Sequence, residues 1–130
     1  MHREQSLIWT EAMVKASYES RDGYYRLALD GHADYKAAGE DIVCAGISAL
    51  VYALMGFLEI NRDKTSHQHI EYESGKVRIF AVGNEIIGGA FQMALTGLEM
   101  IANGYPKHLS VNITSATGGD TSEQTMRKGQ

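Results

Sequence analysis

The chain of 130 residues has a single cysteine, Cys44, and a single proline, Pro106. One thiol excludes an internal disulfide and any cysteine-based zinc site, and it points to a reducing, cytoplasmic compartment. Basic residues are in the minority: 12 Lys and Arg against 16 Asp and Glu give a net charge of −4. With no basic run, no direct nucleic-acid partner is expected. The first ten residues include Glu4 and Gln5 and lack an apolar run, which is unlike a signal peptide. Charge is absent altogether from residues 42–58, a stretch close to the length of a membrane span. Glu40 and Asp41 precede it, Glu59 follows it, and Ser48 and small residues interrupt it. It is therefore expected to be a core helix covered on most sides, with no membrane partner.

What is present suits one globular domain. The mass of 14.3 kDa and the 44% hydrophobic content allow a single core. Val14, Ala16 and Tyr18 alternate with polar residues, Asp22-Gly23 supplies a tight turn, and Tyr25, Leu27 and Leu29 alternate again. That pattern predicts a β-hairpin. A helix is expected over residues 42–60, with Ala45, Ala49, Ala53 and Gly56 forming a small-residue stripe open to close approach by another helix or a partner subunit. A second hairpin follows, with His67, His69, Glu71 and Glu73 on one face, Gln68, Ile70 and Tyr72 on the other, and Gly75 in the turn. A second helix over residues 85–103 starts at Asn84 and stops at Gly104 and Pro106, with Met93 and Met100 expected in the core. Leu109, Val111 and Ile113 form the last strand. The order β-β-α-β-β-α-β predicts an α+β domain, two helices on a mixed, largely antiparallel sheet. Residues 1–12 read as an N-terminal extension, 13–113 as the domain, and 114–130 as a disordered tail.

The chemistry concentrates around Cys44. With Asp41 as helix N-cap, Cys44 would sit in the first turn, where unpaired N–H groups and the helix dipole favour a thiolate. A thiolate with a histidine in reach equips a chain for nucleophilic acyl transfer. His32, twelve residues earlier, is the candidate base. Gly31 and Gly39 frame a loop of Ala33, Asp34, Tyr35, Lys36, Ala37, Ala38 and Gly39 that can close over a peptide. Asp30, Asp34, Glu40 and Asp41 are alternatives for a third catalytic member. First-turn amides are the expected oxyanion donors, and Ser48 lies one turn past Cys44, within reach of substrate or sulfur. The bland alternatives are a small buried cysteine, a loop histidine bonded to backbone, and a serine bonded to its own helix. His67, His69 and Glu71 share a strand face, but such faces are commonly solvated; neither metal nor cofactor is expected.

The blocks Gly31-His32-Ala33 and Gly39-Glu40-Asp41-Ile42-Val43-Cys44-Ala45-Gly46-Ile47-Ser48-Ala49-Leu50 resemble the signature of the ribosomal-processing cysteine protease family, Prp, also called YsxB-like. The resemblance spans about residues 13–113, judged by element order. It implies a cytoplasmic bacterial thiol protease that removes the N-terminal extension of a large-subunit ribosomal protein, the L twenty-seven family, after an apolar, aromatic-rich segment. It places the nucleophile on Cys44 and the histidine on His32, and it implies a homodimer with a mobile loop between those residues. The same groove without cleavage would make a ribosome-assembly or peptide-binding module, and a different acyl group would make a thioesterase-like enzyme.

Overall fold

The computed structural model describes residues 13–31 and 38–115. Strand β1 (Val14–Arg21) turns into β2 (Tyr24–Asp30) through Asp22 and Gly23, whose φ angles of 44° and 85° make the left-handed pair that a two-residue hairpin needs. Helix α1 (Ala38–Ile60) and a single 3₁₀ turn at Arg62–Lys64 lead into β3 (Thr65–Glu73). Gly75, at φ 79°, closes the second hairpin into β4 (Lys76–Gly83). Helix α2 (Glu85–Gly104) then carries the chain to β5 (Leu109–Ser115). The strand order is β3-β4-β2-β1-β5. Only the β1–β5 pair is parallel. The architecture is the expected α+β domain, with the last strand reaching Ser115, two residues into the stretch assigned to the tail.

Alternation decides which sheet face meets the helices. Ala16 and Tyr18 stand in register with Leu29 and Leu27, these with Val77 and Ile79, and Val14 with Leu109, so the centre of one face is apolar. Onto it pack Val43, Ile47, Val51, Leu54 and Leu58 from α1 and Ile87, Phe91, Ala94, Leu95 and Leu98 from α2. Burial of each large aliphatic or aromatic side chain contributes about 1.5–3 kcal/mol. The opposite face carries ion pairs, Arg78–Asp30 at 3.0 Å, Arg26–Glu19 at 3.9 Å and Lys76–Glu71 at 3.9 Å. Exposed pairs of this kind contribute about 0–1 kcal/mol each. The layer between sheet and helices therefore holds the fold. The same pairing places an acidic partner beside each of those three cations.

The helices meet through glycine. A Cβ at Gly97 would lie 2.7 Å from Leu50 Cδ2, and one at Gly46 would lie 2.9 Å from Ile101 Cδ1, so each helix seats a side chain on the other's backbone. The alanine stripe takes no part in this contact: Ala45, Ala49, Ala53 and Gly56 all face outward and are exposed.

Three expectations need correction. Helix α1 begins at Ala38, not near Ile42, and so absorbs Gly39 and Asp41. Glycine inside a helix costs about 1 kcal/mol relative to alanine, little against the burial that the continuing helix gives Val43 and Ile47. The segment Ile42–Ile60 is long and apolar enough to cross a bilayer. It is buried along one stripe and not on most sides, leaving Ile42, Tyr52 and Ile60 exposed. Met93 and Met100, expected in the core, are 73% and 67% exposed. They are seven residues apart on the side of α2 away from Phe91 and Leu98, so helical spacing carries both outward.

Candidate active site

Cys44 is half-buried and borders a cavity of about 280 Å³ between α1 and the sheet. Helix α1 supplies Cys44, Ile47, Ser48 and Val51; the end of β2 supplies Leu29 and Gly31; the β3–β4 hairpin closes the far side with Tyr72, Ser74, Gly75 and Lys76. The apolar floor continues the core, and the polar groups stand at the rim. Glu73 also lines the cavity. Such a cleft, apolar below with a few polar groups above, suits an extended peptide side chain.

The hairpin is fastened to the strand that leads toward His32. Gly31 donates its N–H to the Gly75 carbonyl at 3.1 Å. Its φ of 118° is open to glycine, and a Cβ there would lie 2.5 Å from the Met13 carbonyl oxygen. Gly31 thus sits at the cavity edge, bonded to Gly75 and closely approached by the backbone of Met13 and Val14. His32 and residues 33–37 of the expected loop lie outside the described residues. Ala38 and Gly39, assigned to that loop from the sequence, are the first two residues of α1.

The early helix start changes the setting of Cys44. It is the seventh residue of α1, in the second turn, with Asp41 the fourth. An α-helix engages each N–H at such a position with the carbonyl four residues back. Asp41 is therefore not the N-cap, and the Cys44 amide is not an unpaired first-turn donor. Of the carboxylates weighed as a third member, Asp30 is turned to the outer sheet face and bound by Arg78 at 3.0 Å. Asp34 lies outside the described residues, and Glu40 and Asp41 lie within the helix. His67 and His69 are exposed on the outer face, and no three His, Cys, Asp or Glu converge on a metal position among the described residues.

Sequence reasoning missed the hairpin wall. Tyr72 is the last inward-facing residue of β3, opposite Val77. Its ring stacks on Tyr52 of α1, with centroids 5.7 Å apart and planes 25° apart. Its hydroxyl donates to the Tyr52 hydroxyl at 3.4 Å, long for such a pair. That bond, together with desolvation and the neighbouring Tyr52 charge, raises the Tyr72 pKa above the usual 10.0, and a bond with Ser48 partly offsets the rise. The signal available in the sequence was the spacing of Cys44, Ser48 and Tyr52, four residues apart on one helix.

The model of the family described as cysteine protease Prp matches residues 13–110, which include the strand leading to Gly31, all of α1 and the cavity wall. This chain belongs to that cysteine protease family. It is 29% identical over 86 residues to the ribosomal processing cysteine protease Prp of Mycoplasma genitalium, covering 66% of this chain and 85% of that protein. A crystal structure of an essential ribosomal processing protease Prp from S. aureus, in complex with a substrate peptide, superposes with a TM-score of 0.66 at 27% identity, covering 78% of this chain and 99% of that one. The same S. aureus protease with a covalently linked product peptide gives 0.66 at 28% identity over the same shares. A Streptococcus mutans protein, SMU.848, gives 0.65 at 26% identity, covering 88% and 99%. Membership of the Prp family agrees with a thiol set in a peptide-sized cleft.

Proposed function

We propose that this protein is a cysteine endopeptidase that removes the N-terminal extension of a large-subunit ribosomal protein of the L twenty-seven family, acting in the cytoplasm. The observation that carries the reading is the cavity lined by both Cys44 and Gly31, the residue ahead of His32. The S. aureus relatives, with a substrate peptide and with a covalently linked product peptide, support the same chemistry.

In this reading His32 takes the proton of Cys44 Sγ, and the sulfur adds to the scissile carbonyl carbon. Collapse of the tetrahedral species expels the amine, which leaves with the proton from His32. Water then hydrolyses the thioester, releasing the new carboxylate and restoring the thiol. With the Cys44 amide engaged in α1, the oxyanion is held from outside the helix backbone, and Ser48 is the hydroxyl donor one turn away. A homodimer fits the same picture: the exposed stripe of Ala45, Ala49, Ala53 and Gly56 offers a second copy a smooth, uncharged helix face.

Thiol labelling tests the catalytic pair. Iodoacetamide should modify Cys44 quickly near neutral pH, and the rate should drop in His32→Ala. Slow labelling that His32→Ala leaves unchanged would point to a structural cysteine and a peptide-binding module.

A further inference from the structure

Arg78 turns away from the acid beside it. On the outer face of the sheet its register partners are Glu71 on β3 and Ala28 on β2. Opposite charges directly across a strand pair usually meet, yet Glu71 is approached by Lys76, at 3.9 Å. The small side chain of Ala28 leaves room on the β2 side, and the Arg78 guanidinium lies there. Its Nη2 donates to Asp30 Oδ1 at 3.0 Å, and its Nη1 donates to the Leu29 carbonyl at 3.3 Å and the Val77 carbonyl at 3.0 Å. The Arg78 side chain is 25% exposed, more sheltered than Arg26 at 37% or Lys76 at 45%.

The groups it holds belong to the site. Leu29 and Val77 are register partners, and both line the Cys44 cavity. Asp30 precedes Gly31, which lines the same cavity, and stands two residues before His32. Two residues of chain span at most about 7 Å, so a shift at Asp30 carries through to His32 with little slack. One cation on the back of the sheet thus ties two residues of the cavity floor to the strand end that delivers the base. Guanidinium suits the task, because its planar fork aims several donors in fixed directions and a lysine ammonium cannot reproduce them.

We propose that Arg78 is a positioning residue for proton transfer between Cys44 and His32, acting from the outer face through Leu29, Asp30 and Val77. The proposal rests on the peptidase reading above. Asp30 anchors the guanidinium and needs no contact with His32.

The test is a double-mutant cycle with His32 in the full chain. Iodoacetamide labelling of Cys44 near neutral pH reads the help that the histidine gives the sulfur, with no substrate present. Arg78→Ala should slow labelling roughly 3- to 10-fold where His32 is present and leave it unchanged in the His32→Ala background. For a peptide spanning the extension, kcat should fall roughly 10- to 100-fold, the scale of a displacement of up to about 1 Å at a reacting group, with KM little changed. Arg78→Lys, which keeps the charge and loses the fork, should recover only part of each loss. Asp30→Asn, close to Asp30 in shape, should show the same dependence on His32 at smaller size, and it carries the cycle if Arg78→Ala does not fold. Arg26→Ala removes a cation from the same face, where it meets Glu19 at 3.9 Å, and should change neither readout. Slowing that is equal with and without His32, absent in both, or matched by Arg26→Ala overturns the positioning role and spares the peptidase. Labelling that His32→Ala itself leaves unchanged overturns the peptidase reading and this proposal with it.

Discussion

Gly31 donates its backbone N–H to the Gly75 carbonyl at 3.1 Å, tying the residue ahead of His32 to the turn that closes the far side of the Cys44 cavity. Two segments distant in sequence are thereby held as one wall, and the catalytic reading depends on that wall keeping its place.

The Gly31→Ala substitution attacks this point directly. At φ 118° the new Cβ meets the Met13 carbonyl oxygen at 2.5 Å, so the strand end must move. Strain of this kind costs about 1–3 kcal/mol, and a displacement of about 1 Å at a reacting group lowers turnover on the order of a hundredfold. Peptide cleavage should fall by that order and the melting temperature should drop. Unchanged turnover would show that the wall does not position His32, the base proposed above.

Neighbouring glycines of α2 should respond with opposite signs. A Cβ at Gly88 would lie 2.6 Å from Tyr25 Oη and 2.8 Å from its Cζ, displacing a ring stacked on Phe91 at 5.5 Å. Overpacking costs about 1–3 kcal/mol, more than the about 0.5–1 kcal/mol that alanine gains in a helix. At Gly89 nothing lies within 4 Å. Urea denaturation should find Gly88→Ala less stable than wild type and Gly89→Ala more stable by about 0.5–1 kcal/mol.

The alanine stripe makes its own prediction. Sedimentation should give wild type twice the 14.3 kDa chain mass, and Ala49→Glu, which sets a charge in the middle of the exposed stripe, should run as a single chain with its fold intact. A wild type that is monomeric at every concentration contradicts the homodimer.

How much the sequence disclosed depended on how local each signal was. Asp22-Gly23 and Gly75 set both hairpins because positive φ is a property of the residue itself. Asn84 caps α2 as expected, its side chain accepting from the Ile86 N–H at 3.0 Å and the Ile87 N–H at 3.4 Å. The start of α1 at Ala38 is not legible, because Gly39 and Asp41 have the propensities of a hinge and a cap, while burial further along favours a longer helix. Cys44 and Ser48 were legible because the spacing that pairs them lies within one helix. Tyr72, Gly75 and Lys76 were not, since only the β3–β4 register and the packing of β3 beside α1 bring them to the cavity. Met93 and Met100 show the converse: an apolar residue type without the right helical phase stays outside.

The most direct measurement incubates the purified protein with a peptide spanning the extension of its host's L twenty-seven-family protein and compares wild type with Cys44→Ala by mass spectrometry. The account predicts one defined cut by wild type and an intact peptide with Cys44→Ala. A cut that survives in Cys44→Ala would remove the sulfur from the mechanism, and a peptide that wild type binds but leaves whole would contradict the peptidase itself.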